Sequence, residues 1–214
     1  AALVGRNAVS LEVASLDGSR LAVLETSAFD DIRETPKSAF FSAVEALKSA
    51  GATVDKIHIP EIEQALKLSG ILFATEAYAV WGETIEANPE LMFDEIRDRF
   101  RSGSETLAKD YLRAWQKLES YISSWEAKIA GFDAVILPTS PIMPPNTEKL
   151  MTDSAYYVTE NLLALRNTRI GNLMGSAGLS LPTGVPSAGI MFLSMPHSEE
   201  RLLRLGAAAE AAIG

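Results

Sequence analysis

Thr139 and Ser140 are the hydroxyl-bearing residues best placed to meet a ligand, because they follow the apolar run Asp133-Ala134-Val135-Ile136-Leu137-Pro138. In open α/β sheets, ligands gather at the carboxyl ends of the strands. A tight turn stiffened by Pro141, Pro144 and Pro145 accounts for the same residues equally well. Asn172 and Thr168 lie one helical turn apart and can face one site; Asn172 can equally serve backbone groups near a helix end. His58 and His197 each stand beside or near a proline at the end of a strand, where an exposed loop edge explains them better than catalysis does. The carboxylates are scattered over helix faces rather than gathered into a metal cluster or an acid/base pair. There is no G-x-S-x-G elbow, phosphate loop, G-x-G-x-x-G or H-E-x-x-H motif. Without cysteine, the chain holds no disulfide, thiolate zinc site, iron–sulfur cluster or thiol nucleophile.

These groups have to be held by a sizeable fold. The 214 residues are 47% apolar and 22% charged, which argues for one large globular domain rather than a disordered chain. Nineteen basic against 28 acidic residues give a net charge of −9, and no basic stripe interrupts it, so nucleic acid is not an expected partner. The longest apolar runs fall far short of the roughly 18 residues of a membrane span, and Arg6 sits where a signal peptide would need an apolar stretch. A cytoplasmic, membrane-free protein is expected. The opening Ala1-Ala2-Leu3-Val4 begins without an initiator Met or a helix cap, as a processed, split or truncated chain would.

The apolar run within Arg20 to Leu24, after the Asp17-Gly18-Ser19 turn, reads as a buried strand. Thr35-Pro36 predicts a helix start, with Thr35 as N-cap, Phe40, Phe41, Val44 and Leu47 on its apolar side and Gly51 just past its end. Val54 to Ile59 alternates as a strand. Helices follow over 61–86, up to Gly103, and from Ala108 to Ile129, the last with an aromatic stripe that must pack on something. Asp133 to Pro138 reads as a strand covered on both faces. A helix over 154–174, strands over 179–182 and 190–194, and a final helix opened by Ser198 complete an α/β layout.

Taken in order, the phrases Asp133 to Pro141 with Pro144-Pro145, Arg166-Asn167-Thr168-Arg169-Ile170-Gly171-Asn172-Leu173-Met174-Gly175, Ser180-Leu181-Pro182-Thr183-Gly184, Gly189-Ile190 and the Leu202-Leu203 helix resemble the amidase signature family. Upstream, Gly51 to Val54, Glu76-Ala77-Tyr78 and Asp110-Tyr111-Leu112 fit the same pattern, so the resemblance covers nearly the whole chain. It covers only the C-terminal half of such an enzyme. It implies a mixed β-sheet flanked by helices, the C-terminal portion of the family's α/β/α fold, with residues 1–19 an arm or linker from the missing half. The family's chemistry uses a lysine, a bridging serine in a cis peptide and a nucleophilic serine in a Gly/Ser-rich loop, all in the N-terminal half. No Gly-Gly-Ser-Ser or Gly-Ser-Ser-Gly occurs here.

The resemblance thus implies an amide hydrolase whose catalytic residues lie outside this chain. The chain itself is expected to be inactive and to need no cofactor or metal. Its contribution is sheet and substrate pocket, with Thr139, Ser140, Asn172 and Tyr78 near one cleft. Expected partners are the N-terminal half and a small-molecule amide, with self-association as a further way to cover the cut sheet. Two positions depart from the family pattern. Ser176-Ala177 replaces the usual Leu-Pro, and Leu165 stands where the tRNA-dependent amidotransferase branch carries an Asp that meets a glutamine amino group. Leu165 therefore favours a general amidase over an amidotransferase subunit. The rival from another class is a binding or interaction module that kept the fold without the chemistry.

Overall fold

The computed structural model describes residues 9–11 and 15–214. Five strands form one mixed sheet: β1 (Arg20–Leu24), β2 (Thr53–Ile57), β3 (Ala134–Pro138), β4 (Ala177–Pro182) and β5 (Gly189–Ser194). Their order is β2-β1-β3-β5-β4. β1 runs parallel to β2 and β3, whereas β5 is antiparallel to both β3 and β4. The helices are α1 (Glu34–Ser49), α2 (Glu61–Ala87), α3 (Asp94–Arg101), α4 (Ala108–Ile129), α5 (Thr147–Thr152), α6 (Ser154–Met174) and α7 (Glu199–Ile213). The expected mixed α/β sheet flanked by helices is the architecture found.

Because side chains alternate along a strand, each central strand feeds two cores. Leu21, Val23, Ala134, Ile136, Ile190 and Phe192 pack with α1 and α7. Ala22, Leu24, Val135, Leu137, Met191 and Leu193 pack with α2, α4 and α6. All five residues of β3 are buried, as its uninterrupted apolar run requires. The aromatic stripe of α4 finds its partner in the second core. Trp125 is fully buried and donates from its indole nitrogen to Ser176 Oγ at 3.1 Å. Burying such large side chains stabilises the fold by about 1.5–3 kcal/mol each.

Three local expectations need correction. α1 starts at Glu34 with Arg33 as its N-cap, so Thr35 is not the cap and Pro36 lies inside the first turn. Any of the first few positions tolerates a proline, because their N–H groups have no intrahelical acceptor. The second strand ends at Ile57, and Ile59 instead inserts into the core before α2. The proline-rich stretch after β3 also leads into the short helix α5, whose N-cap Asn146 accepts from Lys149 N at 2.9 Å. The arm expected over residues 1–19 falls at residues 1–8 and 12–14 outside the described residues; Leu16, which is described, packs into the α1 core. No helix among the described residues is long and apolar enough to cross a membrane.

Two contacts fix α2 against its neighbours. Gly103 comes so close that an added Cβ would lie 2.0 Å from the Ala74 carbonyl oxygen, so only glycine fits this approach. At the other end of α2, Lys128 Nζ donates to Glu61 Oε2 at 2.6 Å and Ser124 Oγ donates to Oε1 at 2.8 Å. The Lys128 hydrogen bond, then a backbone N–H and the Ser124 hydroxyl, lower the Glu61 pKa from 4.5 to about 2. A carboxylate pKa lower in the folded than in the unfolded chain stabilises the fold above the unfolded value, and that contribution fades as pH falls through the folded one. Carboxyl NMR should therefore find the Glu61 midpoint near 2, and Lys128→Ala should move it back toward 4.5. A midpoint that ignores the substitution would show that the ion pair does not hold α2 to α4.

Candidate functional site

The carboxyl ends of the parallel strands β1 and β3 meet beneath α6, and a buried amide joins them. Asn167 is completely buried and donates through Nδ2 to Pro138 O at 2.7 Å and to Ala28 O at 3.1 Å. Next to it, Arg166 Nη2 donates to Asp30 O at 2.6 Å and Ala28 O at 3.2 Å, and its Nε donates to Asn167 Oδ1 at 3.3 Å. Partial burial pushes the Arg166 pKa down, with Asp30 and Asp31 opposing the shift. Arg33 pairs with the buried carboxylate of Glu160, one of whose oxygens, Oε2, has no partner. The Arg33 amide donates to Pro141 O at 2.9 Å. The loops after β1 and β3 are thus tied to one helix.

Thr139 and Ser140 are half-buried just beyond Pro138. The Thr139 amide donates to Gly189 O at 2.9 Å, and its hydroxyl lies 2.6 Å from that of Ser180 on β4. A Cβ on Gly189 would come within 2.8 Å of Thr139 Oγ1, so the glycine makes room for this hydroxyl pair. Ser140 Oγ accepts from the Ile142 amide at 3.4 Å, within its own turn. Asn172 is exposed and lines a cavity of about 230 Å³ with Leu72, Glu76, Trp115 and Ile122. In that wall the Tyr111 hydroxyl donates to Glu76 at 2.7 Å, and burial followed by this bond raises the tyrosine pKa. Tyr78 lines a separate open cleft along α2 with Glu83 and Glu86. The structure therefore brings Thr139 to Ser180, whereas the cavity of Asn172 is lined by neither Thr139, Ser140 nor Tyr78.

Among the described residues, no serine or threonine hydroxyl is hydrogen-bonded to a lysine or histidine side chain. His58 instead bonds through Nδ1 to Glu25 O at 2.7 Å. Ser124 with Glu61 and Lys128 has the composition of a relay but not its chemistry. A carboxyl held at a pKa of about 2 is too weak a base to take a hydroxyl proton.

Asn167 was readable as a core position, because it shares a helix face with Ile170, Gly171 and Met174 at spacings of three, four and seven. A polar residue in that register must find buried partners. Asn167→Ala should destabilise the fold by about 1–3 kcal/mol for each carbonyl left unpaired, and Asn167→Asp, which lacks the donor, should not rescue it. Urea unfolding reads this as a lower midpoint at unchanged slope; a midpoint within experimental scatter of the parent would contradict the assignment.

The Amidase family profile matches residues 5–203. The 2-amino-5-chloromuconic acid deaminase of Comamonas testosteroni is 29% identical over 205 residues, covering 93% of this chain and 44% of the relative. An amidase of Pseudomonas putida is 29% identical over 201 residues, covering 91% of this chain and 43% of the relative. The allophanate hydrolase structure of Kluyveromyces lactis superposes on 97% of this chain and 34% of its own, with a TM-score of 0.80 at 19% identity, which is a likeness of fold. The chain spans less than half the length of these relatives. A family match running almost from end to end, on a sheet of the same fold, means that this chain belongs to the Amidase family.

Proposed function

We propose that this chain is the C-terminal half of an amide hydrolase, supplying sheet and substrate-pocket elements to a catalytic centre carried by the rest of the domain. The observation that carries the reading is the family match over residues 5–203 of a chain that spans only 44% of its amidase-family relative. In the assembled enzyme, a serine of the other half attacks the amide carbonyl, the amine departs with a proton, and water hydrolyses the resulting ester. A lysine working through a second serine moves the protons. The absence of a Lys- or His-bound hydroxyl among the described residues supports placing those groups elsewhere.

The two edges of the sheet favour one place for the other half. Along β2, Asp55 and Lys56 are held in ion pairs with Arg20 and Glu25, which blunts that edge. Ala177–Pro182 of β4 carries no charge, and its Gly178 and Ser180 are exposed. The strands of the missing half pair with β4 in this reading, which sets their ends beside the Thr139–Ser180 hydroxyls. Thr139 and Ser140 then act as positioning groups of the completed pocket, and Asn172 and Tyr78 contribute from the cavities they line on α6 and α2 only if the other half joins these to it. A second reading, an amidotransferase subunit, is disfavoured by Leu165 in place of an acid.

The 214-residue chain alone should hydrolyse no amide, and adding the upstream half should restore turnover. Thr139→Ala or Ser140→Ala should then reduce kcat/KM about two- to tenfold, as expected for one lost positioning hydrogen bond. Amide hydrolysis by the pure chain would overturn the proposal, as would complete loss of turnover in either variant.

A further inference from the structure

A cavity of about 330 Å³ lined by Arg99, Leu165 and Arg169 lies with the Asn172 cavity on the α6 side of the sheet. A separate opening of about 480 Å³ lies on the α1 side, over the carboxyl ends of β1 and β2. Val23 of β1, in register with Lys56 of β2, lines it. Phe29 and Ile32, from the segment after β1, supply further apolar surface. Lys37 and Phe41 come from α1, where a spacing of four puts both on one helix face. The Phe29 and Phe41 rings stack with centroids 6.0 Å apart, and Phe41 remains 41% exposed. Charge in the opening is unevenly paired. Glu25 is the one carboxylate that lines it, and Lys56 Nζ holds that carboxylate at 2.7 Å. The Lys37 ammonium has no hydrogen-bond or ion-pair partner among the described residues. One uncompensated positive charge therefore stands beside stacked aromatic rings, in a chain whose net charge is −9.

We propose that this opening binds a small monocarboxylate with an apolar body, its acid group against Lys37 and its body on Val23, Phe29 and Phe41. The inference goes beyond the amide-hydrolase reading and stands without it. The volume falls within the roughly 300–1,000 Å³ of small-molecule sites, which are likewise mostly apolar with a few polar groups that fix orientation. Charge selects the anion. A cationic ligand would face Lys37 with the Glu25 carboxylate already taken by Lys56, and a neutral one would leave the ammonium without a partner. A single ammonium is a point charge rather than a guanidinium fork, which suits one carboxylate better than a dianion. The rings accept an aromatic body by offset or edge-on contact. The walls are also braced from behind. Asn167 and Arg166 hold the carbonyls of Ala28 and Asp30 on either side of Phe29, and the Arg33 amide, next to Ile32, donates to Pro141 O. A ligand thus meets a wall that is already ordered, which lowers the cost of binding.

Titration calorimetry of the assembled protein with 3-phenylpropionate tests this. Saturable binding is expected, with 3-phenylpropanol, which lacks the charge, and acetate, which lacks the body, each weaker by about threefold or more. Lys37→Met should weaken the acid about threefold to tenfold, the weight of a charge contact open to solvent, and leave the alcohol unchanged. Lys37→Arg should keep most of the acid affinity. Phe41→Ala should weaken acid and alcohol alike, because it removes the shared apolar wall. Lys117→Met, exposed on α4 across the sheet, should alter neither. No saturable binding of the acid up to about 10 mM, a range that covers very weak sites, would overturn the proposal. So would an alcohol bound as tightly as the acid, or an acid affinity untouched by Lys37→Met, which would place the ligand elsewhere. Lys37 is an exposed side chain, so its variant folds as the parent does and the reading stays clear. Amide turnover, measured separately on the same proteins, reports on the hydrolase reading and leaves this result as it stands.

Discussion

The buried Asn167 amide is the constraint around which the upper end of this sheet is organised. Two parallel strands must end somewhere, and the last carbonyls of their loops, Ala28 and Pro138, point into the interior beneath α6. Buried carbonyls need a donor, and here a side chain supplies the hydrogens. One carboxamide does so for both loops. Arg166 extends the same service to Asp30, and Arg33 with Glu160 repeats it beside Pro141. The result is a rigid rim from which Thr139 and Ser140 project, and rigidity of the supporting shell is what a positioning residue requires.

Around this rim the molecule divides its labour by layer. The α1 and α7 side packs around Phe40, Ile136 and Phe192 and carries an opening of about 480 Å³ lined by Val23, Phe29, Lys37 and Phe41. The opposite side, under α2, α4 and α6, combines packing with further openings. The Asn172 and Arg169 cavities both lie there, on different flanks of α6. The antiparallel pair β5 and β4 extends the sheet past its parallel part and ends on an uncharged edge. Natural sheets usually blunt such an edge with a charge, a bulge or a covering segment. The uncharged edge accords with relatives of which this chain spans less than half.

Much of this was legible in the sequence because local signals and tertiary demands agree. The apolar run of β3 means two covered faces, and both are covered. The span of α6 was readable from its periodicity up to Gly175, whose φ of +61° closes the helix in the left-handed region. Errors arose where one residue type serves several positions: Pro36 fits more than one place in a first helical turn, and placing it at the first made Thr35 the cap, two residues beyond the actual Arg33. The short α5 lacks the turns needed to show an apolar stripe. At the site, the loop of Thr139 and Ser140 was legible from strand polarity; Asn167 was passed over in favour of Asn172, although its register with Ile170, Gly171 and Met174 marks it as buried. That Arg99 and Arg169 line one cavity was not legible, because only the tertiary packing of α3 beside α2 and α6 brings them together.

Hydrogen exchange of β4 amides, with and without the upstream half, tests the central claim directly. A sheet continuing across this edge has to convert solvent-facing N–H groups of Ala177–Pro182 into ladder donors, while the charged edge of β2 stays as it is. The account predicts slowed exchange in β4 and unchanged exchange in Thr53–Ile57. Protection appearing at β2 alone, or at neither edge in a complex that nevertheless forms, would contradict it.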